Sequence, residues 1–125
     1  MTAPAPDARA STPDDDARRD ALAGRLFEAL LGTFDLLSVQ LGIERGLYAA
    51  LRDRPATPPE LATRAGIDAR YAREWLEQQA VTGILDVDDV AADADARRYT
   101  LPAGHAAVGG GSQRAHPCAA RSTPQ

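Results

Sequence analysis

The acidic segment between Ile84 and Leu101 is the part of the sequence whose residue types come nearest to a metal-binding chemistry. Its carboxylates belong to Asp86, Asp88, Asp89, Asp93 and Asp95. Calcium prefers clustered carboxylate oxygens, but an EF-hand loop also requires a glycine at its sixth position and a glutamate at its twelfth. The segment has neither residue at those positions. We therefore interpret it as the solvated tip of a hairpin.

The other residue types that could support chemistry are few and scattered. Cys118 is the only cysteine, which excludes an internal disulfide framework and a multi-cysteine metal site. His105 and His116 are isolated from one another and from other ligand types. The glycines at 109–111 follow no convincing strand and precede no helix, so they make a poor nucleotide cradle. We predict no catalytic, cofactor-binding or metal-binding residue in this chain.

Composition limits the classes of function that remain. The 125 residues carry a net charge of −4, and all 14 basic residues are arginine. This balance gives no electrostatic reason to expect a nucleic acid or an anionic membrane as a partner. The sequence shows no signal peptide, and we interpret no stretch as long and apolar enough to span a membrane. We expect a cytoplasmic protein with one folded domain.

A helix–turn–helix is predicted over residues 57–83. Thr57 is a good N-cap, and Glu60, three residues later, completes a capping box. Gly66 supplies a left-handed stop, and Asp68 caps the next helix. The predicted core of this unit consists of Leu61, Ile67, Tyr71, Trp75 and Leu76.

Two short strands are predicted to follow the helix–turn–helix. Residues 84–88 and 97–101 alternate in polarity like half-buried strands and can pair as a hairpin. The fold class is therefore mainly α: a winged helix–turn–helix with a long N-terminal dimerisation helix and a two-stranded β wing.

The long N-terminal helix is predicted to begin near Pro13, after Thr12 as a cap. From Leu22 onward its apolar residues recur at helical spacing, with Leu36 off the main stripe. A helix apolar on more than one face must be covered on more than one side, and a small domain has little material to do so. We therefore predict a homodimer, and the alternative is that a second domain covers this helix. The predicted interface consists of Leu26, Phe27, Leu30, Leu31, Phe34, Leu37 and Leu41.

The domain boundaries follow from composition. We expect a disordered N-terminus over residues 1–12, a winged-helix dimerisation domain over 13–108 and a disordered tail over 109–125. Inside the domain, glycines at 42 and 46 bracket a weak point, and a shorter helix is predicted from Ile43 to Leu51.

DNA binding is the obvious alternative for a winged helix, with its second helix in the major groove. The charges oppose it: the wing carries two arginines against five aspartates, a net charge of −3. Arg70 and Arg73 could reach bases, but a glutamate follows each by one turn, so they can form i,i+4 pairs with Glu74 and Glu77. We expect DNA to be an unlikely partner and keep a small dimeric regulator as the second interpretation.

Four segments carry a resemblance to a known family. They are Leu41–Leu51 (LGIERGLYAAL), Pro59–Gly66 (PELATRAG), Arg70–Leu76 (RYAREWL) and Tyr99–Pro102 (YTLP). Together, over about residues 20–107, they resemble the N-terminal winged-helix domain of actinobacterial S-adenosylmethionine-dependent class I methyltransferases. Gln79 departs from the pattern, at a position expected to be apolar.

The resemblance implies a domain for dimerisation and for covering the substrate. It places catalysis and S-adenosylmethionine on a following Rossmann-like domain, which holds the cofactor with a glycine-rich turn and an acidic residue. After Val108 the sequence departs from the family, so no catalytic or cofactor residue is carried over. We expect a truncated methyltransferase, inactive alone, whose full-length relatives act on a small-molecule methyl acceptor. A third interpretation is a lid for a separate catalytic chain.

Overall fold

A computed structural model describes residues 11–107 of the chain. The chain divides into two units, Met1–Leu37 and Ser38–Gln125. The boundary falls within one continuous helix, α1, which spans Pro13–Glu44. Thr12 caps it: its hydroxyl accepts from the backbone N–H of Asp15 at 3.2 Å, while the Asp15 carboxylate accepts from Thr12 in return. The predicted start of the long helix is confirmed.

The second helix is shorter than predicted. Helix α2 spans Leu47–Arg52, and α1 runs through Gly42 to Glu44 without a break. The break lies at Gly46 alone, whose φ of 69° is a left-handed conformation that favours glycine. The predicted helix over Ile43–Leu51 is therefore wrong at its start.

The helix–turn–helix forms as predicted. Helix α3 spans Pro58–Ala65 and α4 spans Ala69–Val81. Thr57 and Glu60 form the full capping box, Gly66 is left-handed with a φ of 67°, and the Asp68 carboxylate accepts from the backbone of Arg70. Each of these local bonds satisfies a helix-end N–H or C=O that lacks a partner within its helix.

The wing is an antiparallel pair of two-residue strands, β1 (Asp86–Val87) and β2 (Tyr99–Thr100). Both are shorter than predicted. Just before β1, the backbone N–H groups of residues 84 and 85 donate to the carbonyl of Gln79. These two residues therefore close the end of α4 and do not extend the strand. Tyr99 also exchanges two backbone bonds with Ala56, so the loop before α3 adds a bridge to the wing.

The hydrophobic core of the described residues lies in the second unit. Its buried members come from α2, the loop before α3, α3, α4 and both sides of the wing. They include Leu47, Tyr48, Leu51, Ala56, Leu61, Ala62, Ala72, Trp75, Leu76, Leu85, Tyr99 and Leu101. Of the predicted helix–turn–helix core, Leu61, Trp75 and Leu76 are buried, and Ile67 packs against them half-buried.

Candidate protein-interaction surface

Helix α1 carries a long row of exposed apolar side chains. In the described part of the first unit, residues 11–37, no residue is buried. Each side chain of the row exposes between 44% and 60% of its surface. The row is formed by the seven residues of the predicted interface, Leu26, Phe27, Leu30, Leu31, Phe34, Leu37 and Leu41. We call these seven residues the α1 stripe. Contiguous exposed apolar surface of this kind is typical of a contact with another molecule.

Local interactions account for the helix at its N-terminal end. Three aspartates occupy its first turn, where the helix dipole favours negative charge. Arg18 pairs with Asp14 at 3.1 Å, and Arg19 pairs with Asp16 at 3.1 Å. Such exposed pairs contribute little individually. The apolar residues that follow these ion pairs are exposed, whereas the apolar stripe of an ordinary core helix is buried.

At its C-terminal end, α1 is held to α4 by a buried polar cluster. The indole N–H of Trp75 donates to the carbonyl of Ser38 at 3.0 Å. The Ser38 hydroxyl donates to Gln78 at 2.7 Å and accepts from the amide of Gln79 at 3.3 Å. The Tyr48 hydroxyl donates to Gln79, and burial raises the pKa of this tyrosine to about 12.

Gln79 is fully buried, at the position where an apolar residue was expected. Its amide is satisfied on both sides, since the oxygen accepts from Tyr48 and the nitrogen donates to Ser38 and Gln78. No buried side-chain N or O atom within residues 11–107 lacks a partner. A satisfied polar group of this kind holds its neighbours in one arrangement.

Gly42 lies against the same cluster and is itself buried. A Cβ atom at this position would meet the ring of Trp75 at 2.5 Å and the ring of Tyr48 at 2.7 Å. These rings pack edge to face with centroids 5.0 Å apart. The glycine therefore allows α1 to approach both rings closely, which is a packing role and not a conformational one.

Beside this contact lies an apolar groove of about 440 Å³. Leu41 of α1 and Leu47 of α2 line it, together with Tyr71 and Trp75 of α4. Tyr71 was predicted to lie in the core, and this is wrong: 71% of its surface is exposed. The helical period places it at the edge of the buried face of α4, where its ring forms a wall of the groove. Ile67 also lines the groove. The remaining lining residues are charged or polar, namely Ser38, Arg45, Glu74 and Gln78.

The outer face of α4 is tied to the wing. Arg73 pairs with Asp95 at 3.7 Å, and Arg97 pairs with Glu77 at 3.5 Å. The predicted pairing of Arg73 with Glu77 is wrong because each reaches a partner on the segment that folds back beside the helix.

Two further arginines are also engaged within the domain. Arg98 of the wing makes a two-pronged contact with the Glu60 carboxylate, at 3.0 and 3.2 Å. The backbone N–H of Thr57, followed by Arg98, lowers the pKa of Glu60. Arg64 donates to the carbonyls of residues 50, 54 and 55. Of the five arginines from 59 to 101, only Arg70 therefore lacks an ion pair or side-chain hydrogen bond among the described residues. This leaves little positive charge to meet phosphates.

No cluster of three or more metal-ligand side chains occurs within residues 11–107. The wing carboxylates serve the backbone instead: Asp88 accepts from Arg98 and Asp89, and the N–H of Arg98 is the main cause of its lowered pKa. His105 contacts the carbonyl of Ile84 at 2.9 Å. Cys118, His116 and the glycines at 109–111 lie outside the described residues.

The described residues do not fit S-adenosylmethionine as the resemblance places it. Its expected site needs a strand that leads through a glycine-rich turn into a helix. Here β1 and β2 are two residues long, antiparallel, and joined by an acidic loop.

Helix α1 meets the length and composition of a membrane-spanning helix. The expectation that no stretch would do so is wrong. The two properties alone do not assign a membrane, because core helices and signal sequences share them. Glu28 and Asp35 interrupt the apolar stretch, and an acidic residue at the centre of a spanning helix costs about 2.5–3.5 kcal/mol.

Solved structures similar to this chain are methyltransferases. PigF with SAH matches with 27% identity and a TM-score of 0.56, over 66% of this chain and 22% of its own. The mitomycin 7-O-methyltransferase MmcR matches with 25% identity and a TM-score of 0.58, over 73% and 25%. The human N-acetylserotonin methyltransferase with SAM shares the fold at 17% identity and a TM-score of 0.53, over 65% and 24%. The matched part is their N-terminal region. No curated protein matches.

The capped helix pair, the wing and the long N-terminal helix define a winged helix–turn–helix domain of the type found in S-adenosylmethionine-dependent methyltransferases. Residues 34–109 match the family model of the Rv2258c-like winged HTH domain, and the chain belongs to this family. It spans about a quarter of the length of the solved methyltransferases that it matches.

Proposed function

We propose that this chain is a homodimerisation domain of a methyltransferase-family protein that acts in the cytoplasm. The observation that carries the proposal is the α1 stripe, which is apolar, continuous and exposed. The likeness to PigF and MmcR supplies the association with methyl transfer.

The energetics favour a second helix as the cover for the stripe. Burying the exposed half of one leucine contributes about 1 kcal/mol. Association of two molecules costs several kcal/mol in lost freedom, so one or two such residues would not suffice. Seven residues on each of two chains supply enough apolar surface to offset this cost. A second copy carries a matching apolar face, so no other kind of partner is required.

The methyl-transfer reaction itself belongs, in this proposal, to residues outside the described part. We expect the 125-residue chain alone neither to bind S-adenosylhomocysteine tightly nor to transfer a methyl group. The lid role, in which the domain covers a methyl acceptor, rests on the resemblance. Tight binding of S-adenosylhomocysteine to this chain, measured by calorimetry, would contradict the assignment of methyl transfer to other residues but would not contradict the dimer.

Sedimentation velocity of the full chain tests the proposal. The unaltered chain is expected to sediment as a dimer at micromolar concentration, and Leu30→Glu is expected to sediment as a monomer because it places a charge in the stripe. Leu36→Glu is the matched control: the same change on the same helix, off the stripe, at a side chain that is already 71% exposed. A monomeric unaltered chain, or equal effects of the two variants, would refute the proposal.

A further inference from the structure

The apolar groove between α1 and α4 lies entirely within the second unit, Ser38–Gln125. Leu41 and Arg45 line one side of it, and Tyr71 and Trp75 line the other. Its volume is about 440 Å³, and sites for small molecules have volumes of about 300–1,000 Å³. Such sites combine an apolar lining with a few polar groups that orient the ligand. This groove has both features.

The contacts beneath the groove show which residues stand at each end. The Ser38 hydroxyl donates to Gln78 at 2.7 Å. One turn later along α1, Gly42 lies against the ring of Trp75. The last turns of α1 therefore run opposite to α4, which closes the groove at Ser38 and Gln78 and places Arg45 towards the start of α4. From Ser38 to Arg45 the groove is about 10 Å long, by the helical rise.

The walls of the groove suit a flat ring. Tyr71 and Leu41 expose 71% and 46% of their surfaces, whereas Trp75, which also lines the groove, exposes 5%. A ring seated between Tyr71 and Leu41 would cover both side chains. Aromatic faces and edges also attract a second ring beyond the area that is buried. The lining therefore favours a planar aromatic molecule over a branched aliphatic one.

Two charged side chains of the lining are free to meet a ligand. Arg45 and Glu74 are both exposed. Neither forms an ion pair or a side-chain hydrogen bond within residues 11–107. The guanidinium of an arginine presents a fork of donors that matches a carboxylate. Glu74 opposes a second negative charge on the same ligand, so the charges favour a single carboxylate.

We propose that the groove binds a small planar aromatic monocarboxylate. Its ring lies between Tyr71 and Leu41, and its carboxylate accepts from Arg45. The site belongs to one copy of the domain, and it requires neither dimerisation nor S-adenosylmethionine.

Calorimetric titration of the full chain with 2-naphthoate tests this site. A two-ring acid in a groove that remains open is expected to bind with a dissociation constant on the order of 0.1–1 mM. The fluorescence lifetime of Trp75, the only tryptophan, gives a second readout at the groove itself. The lifetime is expected to change with the same midpoint. Heat without saturation, or an unchanged lifetime, would overturn the proposal.

Four variants separate the contacts, with uncharged 2-naphthol as the comparison ligand. Arg45→Gln is expected to weaken 2-naphthoate about two- to fivefold, the range for an exposed ion pair, and to leave 2-naphthol unchanged. Tyr71→Ala is expected to weaken both ligands about three- to tenfold. Glu74→Gln is expected to strengthen 2-naphthoate by up to about twofold because a like charge is removed. Arg70→Gln is the matched control, since this exposed arginine adjoins Tyr71 but does not line the groove, and it is expected to change neither affinity.

The outcomes keep this inference apart from the dimer proposal. Binding that is insensitive to Arg45→Gln and Tyr71→Ala would place the naphthoate on another apolar surface, such as the α1 stripe, and would overturn the site. Binding by Leu30→Glu but not by the unaltered chain would show that a second copy covers the groove, which overturns the site and supports the dimer. A monomeric unaltered chain that binds 2-naphthoate through Arg45 and Tyr71 would refute the dimer and support the site.

Discussion

Gly42→Ala is the substitution whose effect follows most directly from the packing of α1 on α4. The new Cβ would lie 2.5 Å from the ring of Trp75 and 2.7 Å from that of Tyr48. Neither ring moves freely, because Trp75 is hydrogen-bonded to Ser38 and Tyr48 to Gln79. Overpacking of this kind costs about 1–3 kcal/mol, and losing one of these bonds adds about 1 kcal/mol. The helix propensity of alanine returns about 1 kcal/mol. We therefore expect a net loss of about 1–3 kcal/mol.

Urea unfolding followed by tryptophan fluorescence measures this loss at the affected site, since Trp75 is the only tryptophan. All proteins are compared at one concentration because the proposed dimer couples stability to it. Gly32→Ala is the control on the same helix: apart from its chain neighbours and the backbone of its own helix, nothing lies within 4 Å of the new Cβ. It is expected to leave stability unchanged or raise it by up to about 1 kcal/mol. If Gly42→Ala were as stable as this control, the close approach of α1 to the two rings would be refuted.

Three further predictions concern the buried cluster, the capping box and the wing. Gln79→Leu is expected to destabilise the domain by about 1–3 kcal/mol because it leaves the hydroxyl of Tyr48 unpaired, and Tyr48→Phe in the same chain is expected to recover part of that loss in the same urea assay. Glu60 has an ordinary pKa of 4.5 that is lowered in the fold, so its contribution to stability is complete above about pH 4.5 and is lost as the pH falls through the lowered pKa. Thermal unfolding between pH 3 and 6 is expected to show a shallower acid loss for Arg98→Gln than for the unaltered chain, and equal slopes would contradict the contact. In fluorescence anisotropy with a duplex oligonucleotide, we expect no specific binding at 150 mM salt, and a steep decrease of affinity with salt would favour the regulator interpretation.

The local signals in the sequence were sufficient for the helix–turn–helix and its ends. Thr57, Glu60, Gly66 and Asp68 act on neighbours within a few residues, so their roles can be inferred from spacing alone. The structure has the same caps at these four positions. The long helix was also predictable, because its apolar period extends over many residues.

The long-range contacts were not predictable from the same signals. Gly42 has the sequence appearance of a helix break, yet its role depends on two rings that lie 6 and 33 positions away. Tyr71 is apolar enough for a core position, yet it is mostly exposed at the margin of the buried face. Arg73 and Glu77 satisfy an i,i+4 spacing, but the wing offers other partners. In each case tertiary contacts decide between local alternatives that spacing leaves open.

The departure at Gln79 has a structural consequence for the exposed stripe. A leucine there would suit an apolar core, but a core without polar groups lets a helix settle in more than one rotation. The hydrogen bond between Gln79 and Ser38 goes with the rotation of the last turns of α1 that turns Gly42 towards Trp75. The same rotation leaves Leu41, one residue earlier, at the wall of the groove with 46% of its surface exposed. A slip of one residue would turn the helix by about 100° and bury part of the stripe. The buried amide therefore fixes which face of α1 remains open to a partner.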